Sequence, residues 1–339
     1  MLNSHRRLLE LLASLPAQRC SRRAALGILA ATGLLPLLGG CSSSPLKIAA
    51  HPWPGYELLF LAQREGWLTE KLVKLQTTAS ASESLQALAN GSADAAALTL
   101  DEMLKARGNG IPLTAVLVFD LSAGADVVMV RPGITSLRQL AGKRIGVEQS
   151  ALGALVLQLT LQAAGLDQTR ISVVPVTPDH HLEVWQAQQL DAVITYEPVA
   201  SRLGSLGARI IHDSRSMPGM IFDLLAVRTD LLHSRAEGLR AAVAGHFKAL
   251  EHLQHNPQDA AYRMAGRLKL DPRQVLDTFR GLELPALYAN QGYLGGAVPG
   301  MFAAARMLND LMVAKGMLKR PDNLAELVSA AFLPKLEGP

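Results

Sequence analysis

Arg144-Ile145-Gly146-Val147, then Glu148-Gln149-Ser150-Ala151-Leu152, then Gly153 through Ala164, then Ile171 through Val176: this stretch reads as strand, turn, helix and strand. The outer runs are short, apolar and rich in β-branched residues, the pattern of strands covered on both faces. The run between them is of helical length, free of proline, and follows a serine able to cap it. Parallel strands need a crossover of this kind, so the unit predicts an α/β protein with mainly parallel sheets.

The alternation continues outward. Leu46 to Ala50, Val73 to Thr77, Ala95 to Leu98, Thr114 to Phe119 and Val127 to Val130 read as strands, with helices at Tyr56 to Glu65, Ser82 to Ala89 and Asp101 to Ala106. Beyond the opening unit, Leu182 to Gln188 reads as helix, and Ala192 to Thr195, Arg209 to Ile211 and Leu224 to Val227 as strands. A helical tail follows, at Glu237 to His255, Gln258 to Leu268, Pro272 to Phe279 and Gly300 to Leu318. Strand-like segments near 119–127 and 220–227 are placed to cross between two lobes. Lobe 1 is then expected over 46–120 and 225–339, and lobe 2 over 121–224.

The N-terminus is built differently. Arg6, Arg7, Arg19, Arg22 and Arg23 stand against Glu10, and an uncharged apolar run from Ala24 to Leu38 leads to Gly39-Gly40-Cys41. A basic region, an apolar region and a small-residue cleavage site predict an export signal over 1–40. The apolar run is shorter than the roughly 20 residues a spanning helix needs, and Pro36 interrupts it. Leu38-Gly39-Gly40-Cys41 resembles the lipobox of bacterial lipoproteins. That implies lipidation at Cys41, a tether over 41–45, and a membrane-anchored protein in the periplasm or on the cell surface. Ser21-Arg22-Arg23 partly matches a twin-arginine signal, so two export routes stay open.

Without the leader the net charge of +4 disappears, because residues 41–339 hold 28 Lys+Arg and 28 Asp+Glu. The balance gives no support to a nucleic-acid partner. Cys20 and Cys41 are the only cysteines, which excludes a disulfide framework or a thiolate metal site from the mature part. No cofactor and no metal is expected, and the chain is read as a monomer.

Four segments in order resemble the periplasmic binding proteins of the nitrate/taurine/aliphatic-sulfonate/thiamine-precursor transport class. They are Trp53-Pro54-Gly55-Tyr56 with Leu61 to Leu68, Gly91 to Ala96, Gly124 to Val128 with Ser136 to Glu148, and Leu190 to Pro198. The resemblance implies a two-lobed type II binding protein fold with two hinge crossovers. It also implies closure on a small solute and delivery to an ABC permease and ATPase complex. A ligand-presenting sensory protein needs the same cleft and stays open as an alternative. Thiamine-pyrimidine synthases share the fold but carry a cysteine-rich motif that is missing here, so no enzyme is expected.

Ligands of open α/β sheets sit beyond the carboxyl ends of strands, near helix N-termini. That rule selects Trp53, Pro54 and Tyr56 after the first strand, Ser80 and Ser82 after the second, Thr99 and Asp101 after the third, and Glu148, Gln149, Ser150 and Ala151 in the turn quoted above. It also selects Tyr196 and Glu197 after the strand at 192–195, and Asp126 beside a crossover. The serine hydroxyl and free amides of the turn at 148–152 read as a cradle for a sulfonate, carboxylate or ring nitrogen, or simply as the cap of the helix that follows. Glu197 is the discriminating residue, because a cleft carboxylate accepts from an amine and repels a bare anion. The expected solute is therefore small, organic and amino-bearing, taurine-like or an aminopyrimidine. Asp120 and Asp223 are read as hinge residues, His180-His181 as a solvated turn, Trp185 as core, and Tyr288 to Tyr293 as a rim loop.

Overall fold

The computed structural model describes residues 44–335; the segment read as an export signal and Cys41 lie outside the described residues. The chain runs through β1 (Leu46–Ala50), β2 (Val73–Thr77), β3 (Ala95–Thr99) and β4 (Leu113–Ser122). It then leaves to form β5 (Val127–Val130), β6 (Arg144–Val147), β7 (Ser172–Pro175), β8 (Ala192–Thr195) and β9 (Arg209–Asp213), and returns as β10 (Phe222–Arg228) and β11 (Leu282–Glu283). The first sheet has the order β11-β4-β10-β3-β1-β2 and the second β7-β6-β8-β5-β9. Each sheet is the centre of one lobe.

Both sheets are mixed, which corrects the expectation of mainly parallel pairing. The β1–β2, β1–β3, β6–β7 and β6–β8 pairs are parallel, while β10 runs antiparallel to β3 and β4, and β5 to β8 and β9. The reversed strands follow the two inter-lobe crossings, where the chain enters a sheet directly without a helical crossover to turn it around. The crossings are stitched together: Ser214 Oγ lies 2.7 Å from Ser122 Oγ and accepts from the Gly124 amide at 2.7 Å.

Lobe 1 carries α1 (Glu57–Arg64), α2 (Ala81–Ala89) and α3 (Leu100–Gly108), and lobe 2 carries α4 (Ala151–Ala164), α5 (His181–Gln186) and α6 (Val199–Ser205). The tail is α7 (Ala236–His255), α8 (Pro257–Leu268), α9 (Pro272–Thr278), α10 (Leu287–Leu294) and α11 (Met301–Ala314). It completes lobe 1, where Ile48, Leu98, Leu117, Leu224 and Val243 share one core. Each such side chain contributes roughly 1.5–3 kcal/mol by leaving water. Lobe 2 has two smaller cores, one per sheet face: Val128 and Val130 face one, Val127 and Met129 the other. That is the two-residue strand period made visible.

An irregularity in lobe 1 positions the site. Asp223 pairs with Asp120, but Leu224 pairs with Val118, so Phe119 is an extra residue in β4. Such bulges re-aim side chains, and here two aspartates stand opposite each other. The Val118 amide and carbonyl are taken by Asn290, whose Oδ1 accepts at 2.8 Å and whose Nδ2 donates at 3.1 Å. The segment read as a rim loop is thus α10, bracing β4 through a buried asparagine. Among the described residues no helix is long and apolar enough to cross a membrane.

Candidate ligand-binding cleft

The carboxyl ends of the strands of both lobes face a common cleft. From lobe 1 come His51 and Trp53 after β1, Tyr56 at the start of α1, Thr99 and Glu102 at the start of α3, and Asp223 on β10. From lobe 2 come Asp126 before β5, Glu148 and Ser150 after β6, and Tyr196 after β8. With the lobes in this arrangement the cavity itself is small, about 30 Å³, on the order of one or two water molecules, so a solute needs the lobes to part. Lobe 2's Ala151, Leu155 and Tyr196 pack into the core of lobe 1, so the lobes meet around the cavity.

Four carboxylates line this space, Glu102, Asp126, Glu148 and Asp223, and no lysine or arginine does. Asp101 and Asp120 lie buried just behind. Two unit charges 4 Å apart interact by about 4 kcal/mol at an effective dielectric constant of 20, so such a group resists ionising together. Burial pushes Asp126 up to about 7 and Asp120 up to about 7. Burial, then repulsion from Asp120, raises Asp223, and burial, then repulsion from Asp101, raises Glu102. His51 adds no positive charge, because burial, and secondarily the nearby Arg267, lowers it to about 3.

One oxygen of most of these acids is held and the other is left over. Trp53 Nε1 donates to Asp120 at 3.0 Å, the Tyr56 hydroxyl donates to Asp223, and the Thr99 amide donates to Glu102 at 3.1 Å. Glu102 Oε1, Asp126 Oδ2 and Asp223 Oδ2 are buried without a partner, as are the Tyr196 hydroxyl and His51 Nδ1. A buried polar atom without a partner is costly, by about 1–3 kcal/mol, so these atoms mark where a ligand's donors fit.

The aromatic wall spans both lobes. Tyr196 of lobe 2 meets Trp53 edge-on at 5.5 Å and His51 at 5.7 Å, while Tyr56 lies 5.2 Å from His51. Two glycines allow the close packing. A Cβ on Gly55 would sit 1.8 Å from Asp120 Oδ2, and one on Gly153 would sit 2.2 Å from the Glu148 carbonyl oxygen. Glu148 also crosses the cleft: its Oε1 accepts from the Ser82 amide at 3.0 Å and from the Ser82 hydroxyl at 2.6 Å. That places a carboxylate at the N-terminus of α2, where the helix dipole favours it.

The sequence-selected residues divide. Trp53, Tyr56, Thr99, Asp126, Glu148, Ser150 and Tyr196 line the cavity. Ser80 caps α2, Ala151 is buried behind the wall, and Gln149 is exposed on an outer groove. The Glu197 carboxylate is engaged away from the cavity, accepting from the Ser201 amide at 3.0 Å and hydroxyl at 2.9 Å at the start of α6. Asp223 lines the cavity, and Asp120 lies buried behind it, paired with Asp223 across β4 and β10. His181 is buried, bonded to Thr195 and the Val176 carbonyl, not solvated, and Trp185 is core. His51 and Glu102 were not selected, since neither carries a local signal. Among the described residues no group of His, Cys, Asp or Glu is placed to hold a metal ion.

The model of the family described as NMT1/THI5 like matches residues 53–260, and the chain belongs to that family. A Brucella abortus (strain 2308) relative, named only as a binding protein, is 23% identical over 202 residues, 58% of this chain and 62% of its own. The taurine-binding periplasmic protein of Escherichia coli (strain K12) is 22% identical over 181 residues, 52% of this chain and 56% of that protein. The chain thus spans about three-fifths of the length of the curated relatives it matches. Among solved structures, the alkanesulfonate-binding protein SsuA from Xanthomonas axonopodis pv. citri, bound to MOPS, superposes with a TM-score of 0.68 at 18% identity, covering 85% of this chain and 97% of that one. The desulfurization enzyme DSZB superposes at 0.62 and 17% identity, with the same coverage. These likenesses show the two-lobed binding-protein fold.

Proposed function

We propose that the chain is the exported, lipid-anchored solute-binding component of an ABC importer, and that its lobes close on a small organic solute bearing a protonated amino group. The observation that carries the solute class is the set of four cavity carboxyl groups, three of them (Glu102, Asp126 and Asp223) with an unpartnered buried oxygen, and no lysine or arginine in the lining. Such acceptors recruit an ammonium or amidinium, and the aromatic wall adds cation–π attraction. The amino-group reading rests here on Glu102, Asp126, Glu148 and Asp223 instead of Glu197. Between the two solutes considered, the cavity favours an aminopyrimidine-like donor over a sulfonate head, because no cavity side chain is placed to neutralise a sulfonate.

The fold alone does not separate capture from catalysis, since an enzyme shares it. The reading as a binder rests on the relatives named as binding proteins and on a mature chain without any cysteine beyond Cys41. Mass spectrometry of solute released from the native protein tests the proposal. A nitrogen base in the released fraction supports it; nitrate or a simple alkanesulfonate would overturn the solute class.

A further inference from the structure

We propose that Arg267, on tail helix α8 and outside the cavity lining, is a positioning residue of the binding site. Its guanidinium holds both ends of the loop at 51–56, and so keeps His51, Trp53 and Tyr56 in place to meet a solute. The inference rests on the reading of the cleft as a solute site. The loop supplies three of the cavity's side chains, His51, Trp53 and Tyr56, yet it lies between the end of β1 and the start of α1, in neither element. Hydrogen bonds from the Tyr56 and Glu57 amides to the Trp53 carbonyl set its turn.

Arg267 fixes the ends. Nη2 donates to the carbonyl of Ala50, the residue before the loop, at 3.3 Å, and Nε donates to Glu57, the residue after it, at 2.7 Å. Nη1 donates to Thr77 Oγ1 at the end of β2 at 2.6 Å, and the guanidinium stacks 3.4 Å over Phe60 of α1. One planar fork thus joins β1, β2 and α1 where the loop leaves the sheet, a task for which a lysine ammonium lacks the geometry. The same guanidinium bears on His51, whose Nδ1 is buried without a partner between the rings of Tyr56 and Tyr196. Burial keeps that ring uncharged, and the Arg267 charge adds to the effect, leaving an acceptor nitrogen for a solute N–H. Arg263, one turn earlier on α8, supplies the contrast. It donates to Glu65, past the far end of α1, at 2.7 Å and to Asp259 on its own helix at 2.6 Å, with no bond to the loop.

Benzamidine, a cationic amidine, is the binding probe, and the indole N–H resonance of Trp53, bonded to Asp120, reports on the loop without any solute. Arg267→Met alone leaves the buried Glu57 carboxyl without its partner, so the double variant Glu57→Gln/Arg267→Met is the folded comparison. In the full chain the double variant should melt near the native temperature, shift the Trp53 indole signal, and bind benzamidine about tenfold more weakly. Arg263→Gln should leave the Trp53 signal in place and change affinity by less than about twofold. An unmoved Trp53 signal in the double variant, or an equal loss of affinity from Arg263→Gln, overturns the positioning role. If benzamidine does not bind the native chain, the proposed solute class fails, and the Trp53 signal alone decides the role of Arg267.

Discussion

On lobe 1 each cleft carboxylate is tied to its own lobe: Asp120 by Trp53, Asp223 by Tyr56 and Glu102 by the Thr99 amide. On lobe 2, Glu148 is tied to the opposite lobe, through Ser82, and Asp126 keeps one buried oxygen without a partner. The first wall is therefore organised whether or not the lobes meet. The second is completed only when they do. The difference assigns recognition of charge to the lobe 1 floor together with Asp126, and retention of the closed arrangement to Glu148.

The largest effect should come from removing charge at the floor. Asp223→Asn or Asp126→Asn should weaken amine binding by about a hundredfold or more in equilibrium titration, the scale of breaking a buried charge pair. A loss below tenfold would place the amine elsewhere. The same groups make the empty protein sensitive to pH. Burial raises Asp126 and Asp120 to about 7 in the folded protein and raises Asp223 in the same direction, so the stability contribution of Asp126 and Asp120 is full below about pH 4 and is lost as pH rises through about 7. Melting of the solute-free protein should accordingly fall between pH 5 and pH 8, and Asp126→Asn should recover about 1–3 kcal/mol at the upper end. Amine affinity should move the other way, rising with pH as cation binding expels protons.

Glu148→Gln sharpens the contrast. It should accelerate solute release by about tenfold in stopped-flow measurements, through a weaker bond at the start of α2, with a smaller change in association rate. Equal slowing of association would return Glu148 to the recognition wall. The smallest effect is expected at Glu197→Gln: binding should change by less than about twofold, while stability drops by roughly 0.5–2 kcal/mol from the weakened cap of α6.

These residues also show what sequence reading reaches. β1, β5, β6 and β8 agree with their apolar runs residue for residue, because a strand inside a sheet needs apolar groups on both faces. The edge strand β2 agrees through its alternation of Val73 and Leu75 with Lys74 and Gln76. β4 extends beyond its run through Asp120 to Ser122, since a buried aspartate interrupts the pattern that marks a strand. α10 was missed because its polar aromatic segment lacks a clear apolar stripe, and its ordering comes from Asn290 bonding β4. Half of the candidate ligand contacts line the cavity because strand ends converge in this fold. Asp223, read from the sequence only as a hinge residue, owes its place to Tyr56 and Asp120, both more than a hundred residues away, and to a bulge that sequence does not announce. Glu102 was not selected because it sits inside a helix start with no distinguishing local signal. Glu197 misled for a local reason, as Ser201 one turn later claims its carboxylate.

The central claim is that an acid cage selects a cation. Calorimetry at pH 6 and pH 8 with aminopyrimidines and amidines, beside nitrate and simple alkanesulfonates, tests it most directly. The account predicts binding only of the nitrogen bases. Amidines, cationic at both pH values, should bind more tightly at pH 8 with net proton release. Aminopyrimidines, which must gain the proton the cage loses, should show little net proton exchange. Micromolar binding of nitrate or a simple alkanesulfonate, with no nitrogen base bound, would contradict it.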